Sequence, residues 1–299
     1  ILNGYYEFFF ENGIFGYQAL NADRLSLLFN DRMLLGNYLS RLFPLLMALF
    51  ILKLSKDENY SFLSILFLSF VMIVTDVLVY ISGERTALGL MTITTFMIII
   101  LLSKFKKIRI ISIIISFVII IGISLTFPDV KNRNITHTLN QIGLSQSDEN
   151  SSLRYLSIQH ESHIKSALNM FKKEPIIGVG PNMFRKHCSN IEFQPSKYSC
   201  STHPHSIYIQ LLSETGVFGF FFISILVLFI SYQIITHFIR KIQKNDNKLS
   251  DYQICLLICF SLSLFPFLPS LNFFNNWVNI IYFLPVGFYL QSIYSKTKN

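Results

Sequence analysis

Charge is scarce in this chain. Only 14% of its 299 residues are Asp, Glu, Lys or Arg, against 52% apolar, which is too little polar surface for a soluble domain to cover itself. The apolar stretches do not alternate with polar residues over about ten positions, which argues against barrel strands and leaves helices as the membrane-crossing element. No CxxC pair is present among the four cysteines, and His187-Cys188 with Cys200 and His203 has no recognised zinc spacing. No internal repeat of the kind that builds many transporters is visible. The opening residues, which begin with Ile and include Tyr5, Tyr6, Phe8, Phe9 and Phe10, carry no basic segment followed by an apolar run and cleavage site. The expectation is that the chain is the C-terminal part of a longer polytopic protein.

What is abundant is lipid-length hydrophobicity. Runs of about 18 or more mostly uncharged residues occur at Gly36–Leu54, Tyr60–Ser82, Thr86–Ser103, Ile108–Phe127, Val217–Ile239, Tyr252–Leu271 and Asn276–Tyr294. They predict an all-α polytopic membrane protein, a single domain over residues 1–299 with seven spans. Basic residues follow alternate spans: Lys53 and Lys56; Lys104, Lys106, Lys107 and Arg109; Arg240, Lys241, Lys244 and Lys248; Lys296 and Lys298. All four clusters fall on one side of an alternating path, which marks that side as cytoplasmic and explains the net charge of +8 without nucleic acid.

The other face then receives the Gly83-Glu84-Arg85 turn, the long stretch 128–216 and the Pro269–Asn275 turn. Six of the seven histidines lie in that stretch: His137, His160, His163, His187, His203 and His205. Cys188 and Cys200 lie there too, where an oxidising compartment lets them pair; the alternative is two free thiols. Helical periodicity predicts a helix over Ser151–Lys172, ended by Glu174-Pro175 and followed by a glycine turn at Gly178-Val179-Gly180-Pro181-Asn182. A shorter helix is expected from Pro204 to Gly216, with His205 in its first turn. Free N–H groups there disfavour a proton on the imidazole, so His205 stays neutral and can accept one. The bland alternative has His203 and His205 as caps bonded to water.

Two sets of arginines stand out. Arg85, in a turn with almost no spare residues, is either a snorkelling side chain paired with Glu84 or a guanidinium held for a phosphate. Arg154 is either a solvated charge or a second phosphate group. Asn37 and Arg41, in the first turns of span one, would support a site, and Arg41 could pair with Asp76 in span two.

Taken in order, Gly178-Val179-Gly180-Pro181-Asn182-Met183-Phe184, then His203-Pro204-His205-Ser206 with Tyr208, Gln210, Leu211, Glu214, Gly216 and Gly219, resembles the signature of the O-antigen ligase and O-antigen polymerase superfamily. Ser82-Gly83-Glu84-Arg85-Thr86-Ala87 resembles its arginine-bearing connection. The resemblance implies glycosyl transfer outside the bacterial cytoplasmic membrane, from a polyprenyl-diphosphate carrier to lipid A core (a ligase) or to another lipid-linked repeat (a polymerase). It implies His205 as base, Arg85 and Arg154 on the diphosphate, and His203, Asn37, Arg41, Asn182 and Glu214 in support. Ser206 stands where the family more often has Asn. No DxD or carboxylate pair is placed for a divalent ion, so no metal and no cofactor is expected. A lipid-linked glycan transporter and a structural assembly subunit are the other classes to be tested.

Overall fold

The structure is a computed structural model, and it describes residues 1–14, 25, 34–55, 61–141, 157–245 and 249–297. Among the described residues the elements are helices and helical turns, with no strand. Twelve α-helices follow in order: α1 Leu2–Phe10, α2 Leu35–Ser55, α3 Phe62–Ile81, α4 Arg85–Leu101, α5 Lys106–Thr126, α6 Pro128–Lys131, α7 His137–Gln141, α8 Ile158–Lys173, α9 Phe184–His187, α10 Ile207–Ile242, α11 Asp251–Ser263 and α12 Asn276–Thr297. They group into two compact units, one of residues 1–138, 236–262 and 285–299, the other of residues 139–235 and 263–284.

Among the described residues, four helical segments are long and apolar enough to cross a membrane: Leu35–Leu54, Phe62–Ile81, Lys106–Thr126 and Ile207–Ile242. The third expected span is a helix of 17 residues, roughly 26 Å. The sixth is shorter than the sequence suggested. Instead of reaching Leu271, α11 stops at Ser263 after 13 residues, roughly 20 Å. Pro266 removes a helical donor and drives Phe265 out of the helical region, so the chain runs on as irregular backbone.

In the first unit α2, α3, α4 and α5 pack on one another around Met47, Ala48, Leu68, Met72, Leu78, Leu90 and Ile98, none more than 1% exposed. In a bilayer such helices gain from close van der Waals packing rather than from escape from water. α1 lies against α3, where the Tyr5 hydroxyl donates to Val74 O at 2.7 Å. A Cβ on Gly4 would come within 2.8 Å of Leu78.

Several polar residues of this unit serve helix ends, and a carboxylate and a guanidinium form a buried ion pair. Lys241 Nζ donates to Ile100 O (2.6 Å) and Leu102 O (2.8 Å), and His237 bonds Leu101 O at 3.0 Å, so the carbonyl end of α4 is satisfied by side chains of α10. Asp251 accepts from the backbone N–H of Ser103 and Lys104, both at 2.9 Å. Asp76 pairs with Arg109, not with Arg41: the guanidinium meets both carboxylate oxygens at 2.7 and 2.8 Å, and Ser116 adds a third bond at 2.9 Å. Arg109 is therefore fully buried rather than part of a surface basic cluster, with its guanidinium 4.8 Å from the Phe43 ring centroid. Arg41 instead donates to Asn37 Oδ1 in the preceding turn of its own helix.

Candidate active site

In the second unit the glycine turn and the histidine motif are two halves of one construction. α10 is two helical legs joined at Gly216, whose φ of 63° and ψ of −160° break the ladder. That break frees the carbonyls of Ser213 and Glu214. Val179 N donates to Ser213 O at 2.9 Å and Gly180 N to Glu214 O at 3.0 Å, while Val217 N finds Pro175 O at 2.9 Å. The fit leaves no room for side chains. A Cβ on Gly178 would lie 2.4 Å from the carbonyl carbon of Glu214, and one on Gly216 would lie 2.1 Å from Ile176 O.

Glu214 and Asn182 serve this joint. The Glu214 carboxylate accepts from Phe184 N at 2.7 Å, anchoring the start of α9, and from Gln210 Nε2 at 3.0 Å. Gln210 also donates to Asn272 Oδ1 (2.7 Å) and accepts from Phe273 N (3.0 Å); Asn272 in turn donates to Asn182 Oδ1 at 3.3 Å. The irregular segment after α11 is thus tied to the first leg of α10. Beneath it, Ala167, Met170, Phe184, Cys188 and Phe193 form a small core. Cys188 and Cys200 are joined, closing a loop whose ends are 12 positions apart.

The helix starts later than the proline suggested. Ser206 O receives the first helical bond, from Gln210 N at 2.8 Å, and Pro204 and His205 precede the helix. His205 takes a left-handed φ of 58°, a conformation that costs a non-glycine residue on the order of 1 kcal/mol. Ser270 holds it there. Its N–H donates to His205 O at 2.9 Å and its carbonyl accepts from His203 Nε2 at 3.0 Å. With Nε2 donating, His203 Nδ1 accepts from the Thr202 hydroxyl at 2.9 Å, so both of its nitrogens are occupied. His205 makes one side-chain hydrogen bond among the described residues, Nε2 to Ser201 Oγ at 3.2 Å.

Two further imidazoles complete the centre, and the sequence reading left them without a role. His160 and His163 lie one turn apart on α8, which Ser157 caps by accepting from His160 N. Ring centroids are 4.1 Å apart for His203 and His205, 4.9 Å for His160 and His205, and 5.4 Å for His163 and His205. The i, i+3 spacing of the two histidines on a predicted helix was the available signal. Ser270 gave none, because nothing in the sequence pairs the Pro269–Asn275 turn with the histidine motif.

Burial in this cluster opposes protonation. His205 is lowered to about 2, first by burial and then by the imidazoles of His203, His160 and His163. His203 is lowered to about 4, again first by burial, with the Ser270 carbonyl acting in the opposite direction. His163 is lowered by burial against the Cys200 carbonyl. All three are neutral near pH 7. Among the described residues no group of three His, Cys, Asp or Glu side chains is arranged to hold a metal ion.

Arg85, Asn37 and Arg41 belong to the first unit. Arg85 opens α4, with Glu84 as the residue before the helix. The Glu84 carboxylate is taken up by the start of α2, accepting from Gly36 N at 2.6 Å, from Asn37 N at 3.2 Å and from the Asn37 amide. An acidic side chain on a helix N-terminus is favourable in itself. Asn37 and Arg41 therefore brace the turn that carries Arg85. Arg154 and the expected helix start at Ser151 lie outside the described residues.

Among the described residues, membrane-length apolar helices and a buried imidazole cluster next to a glycine-lined joint are the features that characterise this chain. A family model described as O-antigen ligase matches residues 67–224, just over half of the chain, and the chain belongs to that family. No curated protein and no solved structure matches it.

Proposed function

We propose that this chain is a glycosyltransferase of the ligase type in a bacterial inner membrane, with its site on the periplasmic side. It moves a glycan from a polyprenyl-diphosphate carrier to a sugar hydroxyl of lipid A core. One observation carries the reading: His205 is held in a strained conformation, neutral, with a single side-chain hydrogen bond, at the centre of three other imidazoles. When Nε2 donates to Ser201 Oγ, the Nδ1 lone pair is left for the acceptor's hydroxyl.

A sugar diphosphate is already activated, so the protein must orient the two substrates, stabilise the departing diphosphate and take one proton. The acceptor oxygen bonds to the anomeric carbon as the bond from that carbon to the diphosphate oxygen breaks. The hydroxyl proton passes to His205, and the polyprenyl diphosphate leaves with the electron pair. Direct displacement inverts the anomeric centre. Arg85, and Arg154 with it, supply the positive charge that a metal ion would otherwise bring. The depressed basicity of His205 gives the diphosphate a second task. An anion beside four imidazoles favours the protonated form, so the base becomes competent once the donor is bound.

The discriminating experiment is complementation of a ligase-null cell with the full-length gene. Glycan on lipid A core is expected with the unaltered gene and not with His205→Ala. Longer lipid-linked glycan without transfer to core would indicate a polymerase instead, and full activity of His205→Ala would remove the base.

A further inference from the structure

The short helix α9 is tied to the histidine centre at three points. At its start, Phe184 N donates to the Glu214 carboxylate at 2.7 Å, and the Phe184 side chain is fully buried in the small core. At its end, Cys188 is joined to Cys200, and the residue after that, Ser201, holds His205 Nε2 at 3.2 Å. Between these two ties stands Arg185, which is exposed.

Arg185 itself makes the third tie. Its guanidinium donates to Asn182 Oδ1, which also accepts from Asn272 Nδ2 at 3.3 Å. Asn182 holds a left-handed φ of 63°, a conformation that Asn tolerates better than most residues and that recurs at ligand sites. Asn272 lies two residues after Ser270, whose N–H and carbonyl fix His205 and His203. Two residues of chain reach at most roughly 7 Å. One irregular segment thus holds both the imidazoles and the partner of the guanidinium. His203 registers the charge: burial is the first reason it resists a proton, and Arg185 adds to that resistance.

Asn182 takes up one of the five N–H donors of the guanidinium, and among the described residues no carboxylate forms an ion pair with it. The remaining donors suit a carboxylate or a phosphate. The reaction decides which substrate brings that anion. Direct displacement puts the attacking hydroxyl and the departing diphosphate on opposite sides of the anomeric carbon. The base stands on the hydroxyl's side, so a cation fixed beside the base faces the acceptor. Arg85, the residue read as meeting the diphosphate, belongs to the other unit.

We propose that Arg185 recognises an anionic substituent, a phosphate or a carboxylate, on the acceptor sugar near the hydroxyl that reacts. The inference rests on the reading of His205 as base and adds a specificity-determining contact. The acceptor is an acidic saccharide rather than a neutral one.

The test uses the purified full-length protein with lipid A core as acceptor in three forms: untreated, freed of phosphate by hydrogen fluoride, and with its carboxyl groups reduced to alcohols. Arg185→Ala is expected to raise the KM for untreated acceptor about tenfold or more, the loss appearing there rather than in kcat or in the donor KM. Arg185→Lys keeps the charge without the fork and should recover part of that loss. Asn182→Gly keeps the left-handed backbone and drops the amide oxygen, so its acceptor KM should rise severalfold. Lys186→Ala, at the next position, should behave as the parent does. One of the two treated acceptors should be poor for the parent and no poorer for Arg185→Ala, which identifies the anion. A rise in donor KM in place of acceptor KM, or a parent indifferent to both treatments, would overturn the proposal. Binding separates this contact from the chemistry. By native mass spectrometry, untreated acceptor should bind His205→Ala as it binds the parent, and Arg185→Ala more weakly. An active His205→Ala with that pattern intact would end the base reading and leave the anion contact standing. An inactive His205→Ala, with the parent and Arg185→Ala binding acceptor equally, would end the anion contact alone.

Discussion

Lowering the pH should loosen the histidine centre, and His203 sets the size of the effect. The residue is 6% exposed, Nε2 donates to Ser270 O and Nδ1 accepts from Thr202, so a second ring proton has no place without breaking a bond. In the folded protein the imidazole is lowered to about 4, against an ordinary 6.5. Below pH 6.5 the unfolded segment takes up a proton that the folded one refuses. Stability is therefore full above that value and lost as the pH falls toward 4. Integrated from pH 7.5 to pH 5, this one group withdraws about 2 kcal/mol, roughly a thirtyfold rise in the open fraction. His205 and His163 act in the same direction. Hydrogen-exchange protection of residues 196–212, corrected for the intrinsic rate, is the assay. His203→Gln keeps a donor for the Ser270 carbonyl but cannot titrate, so its protection should change less across that window. Identical acid sensitivity in the parent and His203→Gln would refute the reasoning, as would a parent whose protection does not fall.

Two substitutions test the scaffold. Gly216→Ala places a methyl group against Ile176 O in a left-handed conformation and should cost more than about 2 kcal/mol; a lowered thermal midpoint together with loss of the glycan product is the expected outcome. Asp76→Asn leaves the Arg109 charge buried without its counter-ion and should cost about 3–5 kcal/mol. Replacing both residues by apolar ones, Asp76→Leu with Arg109→Met, should recover much of the thermal midpoint.

The repeating features of the sequence carried over into the structure, and the long-range pairings did not. Apolar runs located α2, α3 and α5, and the disulfide partners Cys188 and Cys200 were legible because they are the two cysteines of one polar stretch. Gly216 could be read as the end of a short helix, but not as a joint filled by the Gly178 turn, since that contact joins segments 38 positions apart. The sixth span was overextended because hydropathy is blind to the missing N–H of Pro266. Asp76 was matched with Arg41 by depth alone, whereas a buried carboxylate takes the guanidinium that can reach both of its oxygens, here that of Arg109. His205 was singled out by its motif; its three imidazole neighbours depend on how α8 packs, which a periodicity does not reveal.

The central claim is that His205 removes the acceptor's proton. Its most direct test is transfer from a polyprenyl-diphosphate glycan to purified lipid A core by the full-length protein, comparing the parent with His205→Ala at equal folded concentration. A fall of at least about a hundredfold in turnover, with donor binding retained, is the result expected of a lost general base. Turnover within a fewfold of the parent would contradict it.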